Sequence, residues 1–106
     1  DGFLATFDGP ARAAHCALAA IEAVRALGLE IRAGLHTGEV ELDKNDVRGV
    51  AVHVASRIAG RAAAGECLVS RTVKDLVAGA DLKFLERGRP QLKGLAEPMD
   101  VFAVAR

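Results

Sequence analysis

His53 and Arg57 stand four residues apart in the run Asp46-Val47-Arg48-Gly49-Val50-Ala51-Val52-His53-Val54-Ala55-Ser56-Arg57. On a helix that spacing places one side chain above the other. An imidazole and a permanently charged guanidinium so stacked can address one polar or anionic ligand together. Asp46 precedes them in the polar stretch Asp43-Lys44-Asn45-Asp46 and adds a carboxylate, an acceptor for an amine. Periodicity alone favours a plainer reading: a solvated helix edge for the pair, and an Asx turn or cap for Asp46.

The stripe beside the pair is apolar. Val50, Val54 and Ile58 recur every four residues, and Ala51 and Ala55 widen that face, so the run reads as a turn feeding an amphipathic helix that ends between residues 60 and 65. The rest of the chain supplies elements to pack against it. Residues 2–7 read as a strand. Asp8-Gly9-Pro10 opens a helix with Asp8 as N-cap, and Gly28 closes it. Leu29, Ile31, Ala33 and Leu35 alternate with polar or small residues as a half-buried strand. The apolar parity then switches, which calls for a bulge or tight turn at Thr37-Gly38 with glycine at positive φ. Residues 66–70 form a short strand, Ser70 caps a helix that stops at Gly79, and residues 82–87 and 99–105 give two late strands. Crossover helices mixed with hairpins make the fold α+β, with helices largely on one sheet face.

Composition narrows the partners. A chain of 106 residues fits one domain; 51% is hydrophobic, with alanine a large share, four Phe and no Trp or Tyr, so the core is made of small side chains in close packing. The formal net charge is zero, which gives no electrostatic argument for nucleic acid or an anionic membrane. No apolar run reaches the ~18 residues of a bilayer span, and no segment resembles a signal peptide. Cys16 and Cys67 lack metal-ligand spacing and sit in apolar contexts, so two buried free thiols in a reducing cytoplasm are expected. His15 reads as a boundary residue of its helix, and His36 as a strand-end residue.

The pattern Asp46, Gly49, His53, Arg57, running from a turn into a helix, resembles the signature of the class III nucleotidyl cyclases, the adenylate and guanylate cyclases. Gly34-Leu35-His36-Thr37-Gly38-Glu39-Val40, Gly65-Glu66-Cys67-Leu68-Val69-Ser70, the opening Asp1-Gly2-Phe3-Leu4-Ala5-Thr6-Phe7 and Leu92-Lys93-Gly94 are similar to further segments of that family, in the same order. The resemblance covers nearly the whole chain. It implies an incomplete ferredoxin-like cyclase fold with a mostly antiparallel sheet. Residues 1–106 would be the C-terminal part of the catalytic domain, lacking an additional strand, a helical region and another strand that come before this point in the family.

The activity so implied is that of a bacterial-type adenylate cyclase, converting ATP to cyclic AMP and pyrophosphate. The 3′-oxygen attacks the α-phosphate as pyrophosphate leaves, and charge builds on the phosphoryl oxygens, so divalent metal and a fixed cation are called for. The resemblance places Asp1 at the second of two metal-binding aspartates, for two Mg²⁺ or Mn²⁺ ions; the first aspartate is not in this chain. It places Asp46 at the purine-reading position, without the lysine that usually accompanies it, and Arg57 at the transition-state arginine. Lys93 lies near the phosphate-contacting lysine, with Leu95 as the other alignment. His53 departs from the family, which usually has an asparagine there to position the ribose.

Family members work as dimers with a shared site. A homodimer is expected, joined through the alanine-rich helix faces and the apolar residues around 50–54, in the cytoplasm or in a cytoplasmic part of a larger protein. With one metal ligand and the base-reading lysine missing, the chain alone should turn over little or no substrate. The alternative is a degenerate cyclase-homology domain that dimerises or binds nucleotide to regulate a neighbour. ATP against GTP stays open at this point, because half of the base-reading pair is absent.

Overall fold

The computed structural model describes residues 2–43 and 46–106, and for residues 41–43, 46 and 47 it describes the backbone but not the side chain. The elements are α1 (Pro10–Arg25), β1 (Ala33–Leu35), β2 (Glu41–Asp43), β3 (Asp46–Arg48), α2 (Val50–Ala59), β4 (Cys67–Ser70), α3 (Arg71–Leu76), β5 (Lys83–Glu86) and β6 (Val101–Ala105). Four strands form one sheet in the order β1-β4-β6-β5, and β2 and β3 form a separate hairpin. The sheet is mixed but mostly antiparallel: β1 runs parallel to β4, whereas β4 and β5 both pair antiparallel with β6.

Alternation along the central strands builds a core on each face of the sheet. Cys67 and Val69 of β4 join Phe102 and Val104 of β6 under Ile21 of α1 and Val73 of α3. Leu68 and Val101 point the other way, to Val54 and Ile58 of α2 and to Leu92. The expected sharing of one face by the helices thus holds for α1 and α3, while α2 takes the opposite face. Ile58, Leu68, Val69 and Val101 are almost wholly buried, each worth about 1.5–3 kcal/mol relative to exposure. Gly34 lets α2 lie directly on β1: a Cβ there would sit 2.3 Å from the Ala59 amide nitrogen. The packing of α2, and so the aim of its polar flank, is fixed by that contact.

Several local expectations are corrected. Residues 2–7 pair with no described strand, and Phe3 is fully exposed; β-forming residues alone do not make a strand without a ladder partner. The N-cap of α1 is Gly9 rather than Asp8, with no side-chain cap bond, and Pro10 takes the first helical position. At the other end Gly28 does adopt positive φ, +83°, and the bonds Leu29 N–H to Val24 O and Gly28 N–H to Arg25 O close a Schellman motif around it. The strand expected from residue 29 is regular only over Ala33–Leu35, and Leu29 is exposed. The ends of the polar stretch before α2 belong to paired strands, with Asp43 of β2 opposite Asp46 of β3. Gly38 is needed for proximity, not for positive φ: its Cβ would meet that of Ala51 at 2.9 Å. Cys67 is buried but Cys16 is exposed, because α1 turns it to solvent; both are free thiols. Among the described residues, no helix is long and apolar enough to cross a membrane.

Candidate functional site

The site is built on α2 and the segment 91–95. Ala51, Val54 and Ile58 are the buried face of α2, which leaves His53 and Arg57 on its flank. Leu92 is 2% exposed and packs into the same core as Val54 and Ile58, anchoring the segment beside the helix. The turn that follows is closed by the Leu95 N–H donating to Leu92 O and by Gln91 Nε2 donating to Leu95 O at 2.6 Å. Gly94 sits at φ +87° against the imidazole of His53, whose Nε2 would lie 3.0 Å from a Cβ at that position. A tight turn anchored by one leucine therefore brings Lys93 to the side of α2 that carries His53 and Arg57.

Between these elements lies a surface cleft of about 290 Å³, lined by Ser56, Arg57, Arg61, Gln91, Leu92 and Lys93. Arg57 Nε is shut off from solvent and has no hydrogen-bond partner among the described residues. An unmet buried donor costs about 1–3 kcal/mol, more when it is charged. Among the described residues no carboxylate pairs with Arg57, Arg61 or Lys93. Five arginines elsewhere are matched: Arg25 holds Glu30 at 2.9 Å, Arg71 and Arg89 both reach Asp100, Arg87 holds Glu66, and Arg106 reaches Glu22. A second cavity, about 200 Å³ beside Glu86, Arg89, Asp100 and Phe102, contains the Arg89–Asp100 pair. Clustered unpaired cations concentrate anions, and the cleft on α2 has that character.

Of the residues singled out from the sequence, Arg57 and Lys93 line this cleft and His53 adjoins it through Gly94. Asp46 begins β3, on the hairpin that leads into α2, and its carboxylate lies outside the described residues. Asp1 also lies outside them. Among the described residues no group of three or more His, Cys, Asp or Glu side chains is placed to hold a metal ion. Arg61 and Gln91 were not singled out. Arg61 could have been, since it continues the four-residue series of His53 and Arg57. Gln91 carries no such sign; only the folded turn reveals it.

His36, at the end of β1, makes a different contact. Its Nδ1 lies 2.8 Å from the hydroxyl oxygen of buried Ser70, which also accepts the Val73 amide as the N-cap of α3. Burial pushes the His36 pKa below its ordinary value, because the charged ring loses water. This pair ties a strand end to a helix start and does not line the cleft.

The profile of the adenylate and guanylate cyclase catalytic domain matches residues 13–105. An uncharacterized protein of Mycobacterium tuberculosis is 35% identical over 101 residues, which is 92% of this chain and 35% of that protein. The chain thus spans about a third of that relative's length. Among solved structures, the catalytic core of a rhodopsin-guanylyl cyclase with converted specificity, in complex with ATPαS, is 26% identical and superposes with a TM-score of 0.81, covering 94% of this chain and 60% of that one. An adenylate/guanylate cyclase/hydrolase from Silicibacter pomeroyi, 24% identical, shares the fold with a TM-score of 0.79 over 94% of this chain and 64% of its own. With its α+β sheet and a match over nearly its whole length, this chain belongs to the adenylate and guanylate cyclase catalytic domain family.

Proposed function

We propose that the chain is the C-terminal part of an adenylate cyclase catalytic domain, and that the parent protein converts ATP to cyclic AMP and pyrophosphate at a site shared between two copies. The observation that carries this reading is the cleft in which Arg57 and Lys93 meet without a carboxylate partner among the described residues. A guanidinium spans two phosphate oxygens and never loses its charge, so Arg57 would hold the α-phosphoryl oxygens as charge builds there. Lys93, a compact point charge on a flexible stem, would meet the phosphates beside it. His53 would take the ribose position, offering a ring N–H as donor. Asp46 would read the adenine amine.

The residues described here do not by themselves form a divalent-metal site. Mg²⁺ or Mn²⁺ is assigned to Asp1 and to a carboxylate beyond these 106 residues, and bound there it would neutralise the triphosphate. Of the apolar residues expected at the homodimer contact around 50–54, Ala51 and Val54 are instead buried in the core, which leaves Val50, exposed at the start of α2, for such a surface. On this reading the 106-residue chain alone turns over little or no ATP.

His53 favours a second reading, a degenerate cyclase domain that dimerises or binds nucleotide without turnover. Its ring is bulkier than an asparagine amide and is held against Gly94. The full-length parent, assayed with Mn²⁺ and either ATP or GTP, separates the readings. Cyclic AMP formation supports the first, and His53→Asn should then raise the rate if the ring is a handicap. No cyclic nucleotide with either substrate favours the second.

A further inference from the structure

We propose that Arg61 is a third phosphate-binding cation of the α2 cleft, contacting the β- and γ-phosphates of the substrate and the pyrophosphate that leaves. The inference rests on the cyclase reading for the identity of the anion, but its geometry is independent of that reading. Arg61 follows Arg57 by four residues and lies just past Gly60, the C-cap of α2, where the backbone still turns: its N–H bonds Ile58 O at 2.9 Å. The side-chain series His53, Arg57, Arg61 therefore runs along one flank, and Arg61 shares the cleft wall with Arg57, Lys93 and Gln91. The three cations have no acidic partner among the described residues, and the lining described contains no carboxylate.

Size and chemistry point to the same ligand. About 290 Å³ falls just below the ~300–1,000 Å³ typical of pockets for a whole ligand. The cleft thus suits the polyphosphate end of a nucleotide, with the base and sugar lying beyond it toward His53. Gln91 Nε2 gives one of its two hydrogens to Leu95 O and so holds the turn.

A plainer role exists for a cation at this place: Arg57 and Arg61 both complement the partial negative charge at the C-terminal end of α2. That role would alter stability and leave anion affinity untouched. The test is titration calorimetry of the full-length parent with inorganic pyrophosphate, comparing wild type, Arg61→Gln, Arg61→Lys and, as an exposed control on α1, Arg12→Gln. Loss of one charge-assisted contact should weaken pyrophosphate binding about tenfold in Arg61→Gln. Arg61→Lys should restore part of that loss, and Arg12→Gln should bind as wild type. Equal affinity in wild type and Arg61→Gln, or no pyrophosphate binding by the wild type, would overturn the proposal. If the parent makes no cyclic nucleotide but its pyrophosphate affinity depends on Arg61, the anion site stands and the catalytic reading falls. If it makes cyclic AMP while Arg61→Gln leaves pyrophosphate affinity unchanged, the reverse holds.

Discussion

The imidazole of His53 lies against the backbone of Gly94, close enough that a methyl group on Gly94 would come within 3.0 Å of Nε2. This contact fixes the distance between α2 and the segment that presents Lys93. It also gives a reason for glycine at 94, which sits at φ +87° as well.

Gly94→Ala should therefore lower stability by about 1–2 kcal/mol from backbone strain alone, read as a lower urea midpoint at unchanged slope. In a His53→Ala background the steric part disappears and the backbone part remains, so the second substitution should cost less there. Equal costs in both backgrounds would mean that the His53 ring does not press on Gly94.

His36 gives stability a pH dependence whose sign is fixed. Its folded pKa is depressed below the ordinary 6.5, so the unfolded chain binds the proton more readily. Its contribution is complete above about pH 6.5 and is lost as pH falls through the window beneath that value. Urea unfolding at pH 7.5, 6.0 and 5.0 should show this decline, and His36→Gln should flatten the part owed to the ring. An unchanged slope in His36→Gln would remove the buried-imidazole explanation.

The two thiols should react very differently. Burial pushes the Cys67 thiol up to about 12, whereas Cys16 is exposed. Thiolate fraction and access govern alkylation. Brief N-ethylmaleimide treatment at pH 7.5 followed by peptide mapping should label Cys16 alone, with Cys67 labelled only after unfolding in urea. Rapid labelling of Cys67 in the folded protein would contradict its place in the core.

The parts of this fold legible in the sequence are those governed by short-range rules. The apolar stripe of α2, the Ser70 cap and the left-handed Gly28 follow from spacing and residue type. What was not legible depends on neighbours far along the chain. Residues 2–7 have the right composition for a strand but no described strand to pair with. Gly38 looked like a turn residue and is instead the place where Ala51 comes close. The exposure of Cys16 depends on which side of α1 the sheet covers. The cleft itself was half visible: His53 and Arg57 declare their shared flank by spacing, but Lys93 joins them only because Leu92 is buried beneath α2.

In the proposed mechanism Arg57 stabilises charge developing on a nucleotide's phosphate, and the decisive measurement is cyclic AMP formation by the full-length parent with Mn²⁺ and ATP. Arg57→Ala should lower the rate about 10²- to 10³-fold, the usual consequence of removing one donor to a developing oxyanion. Arg57→Lys, which keeps the charge but not the planar fork, should recover only part of it. An active parent whose Arg57→Ala form makes cyclic AMP at an undiminished rate would rule out this role for Arg57.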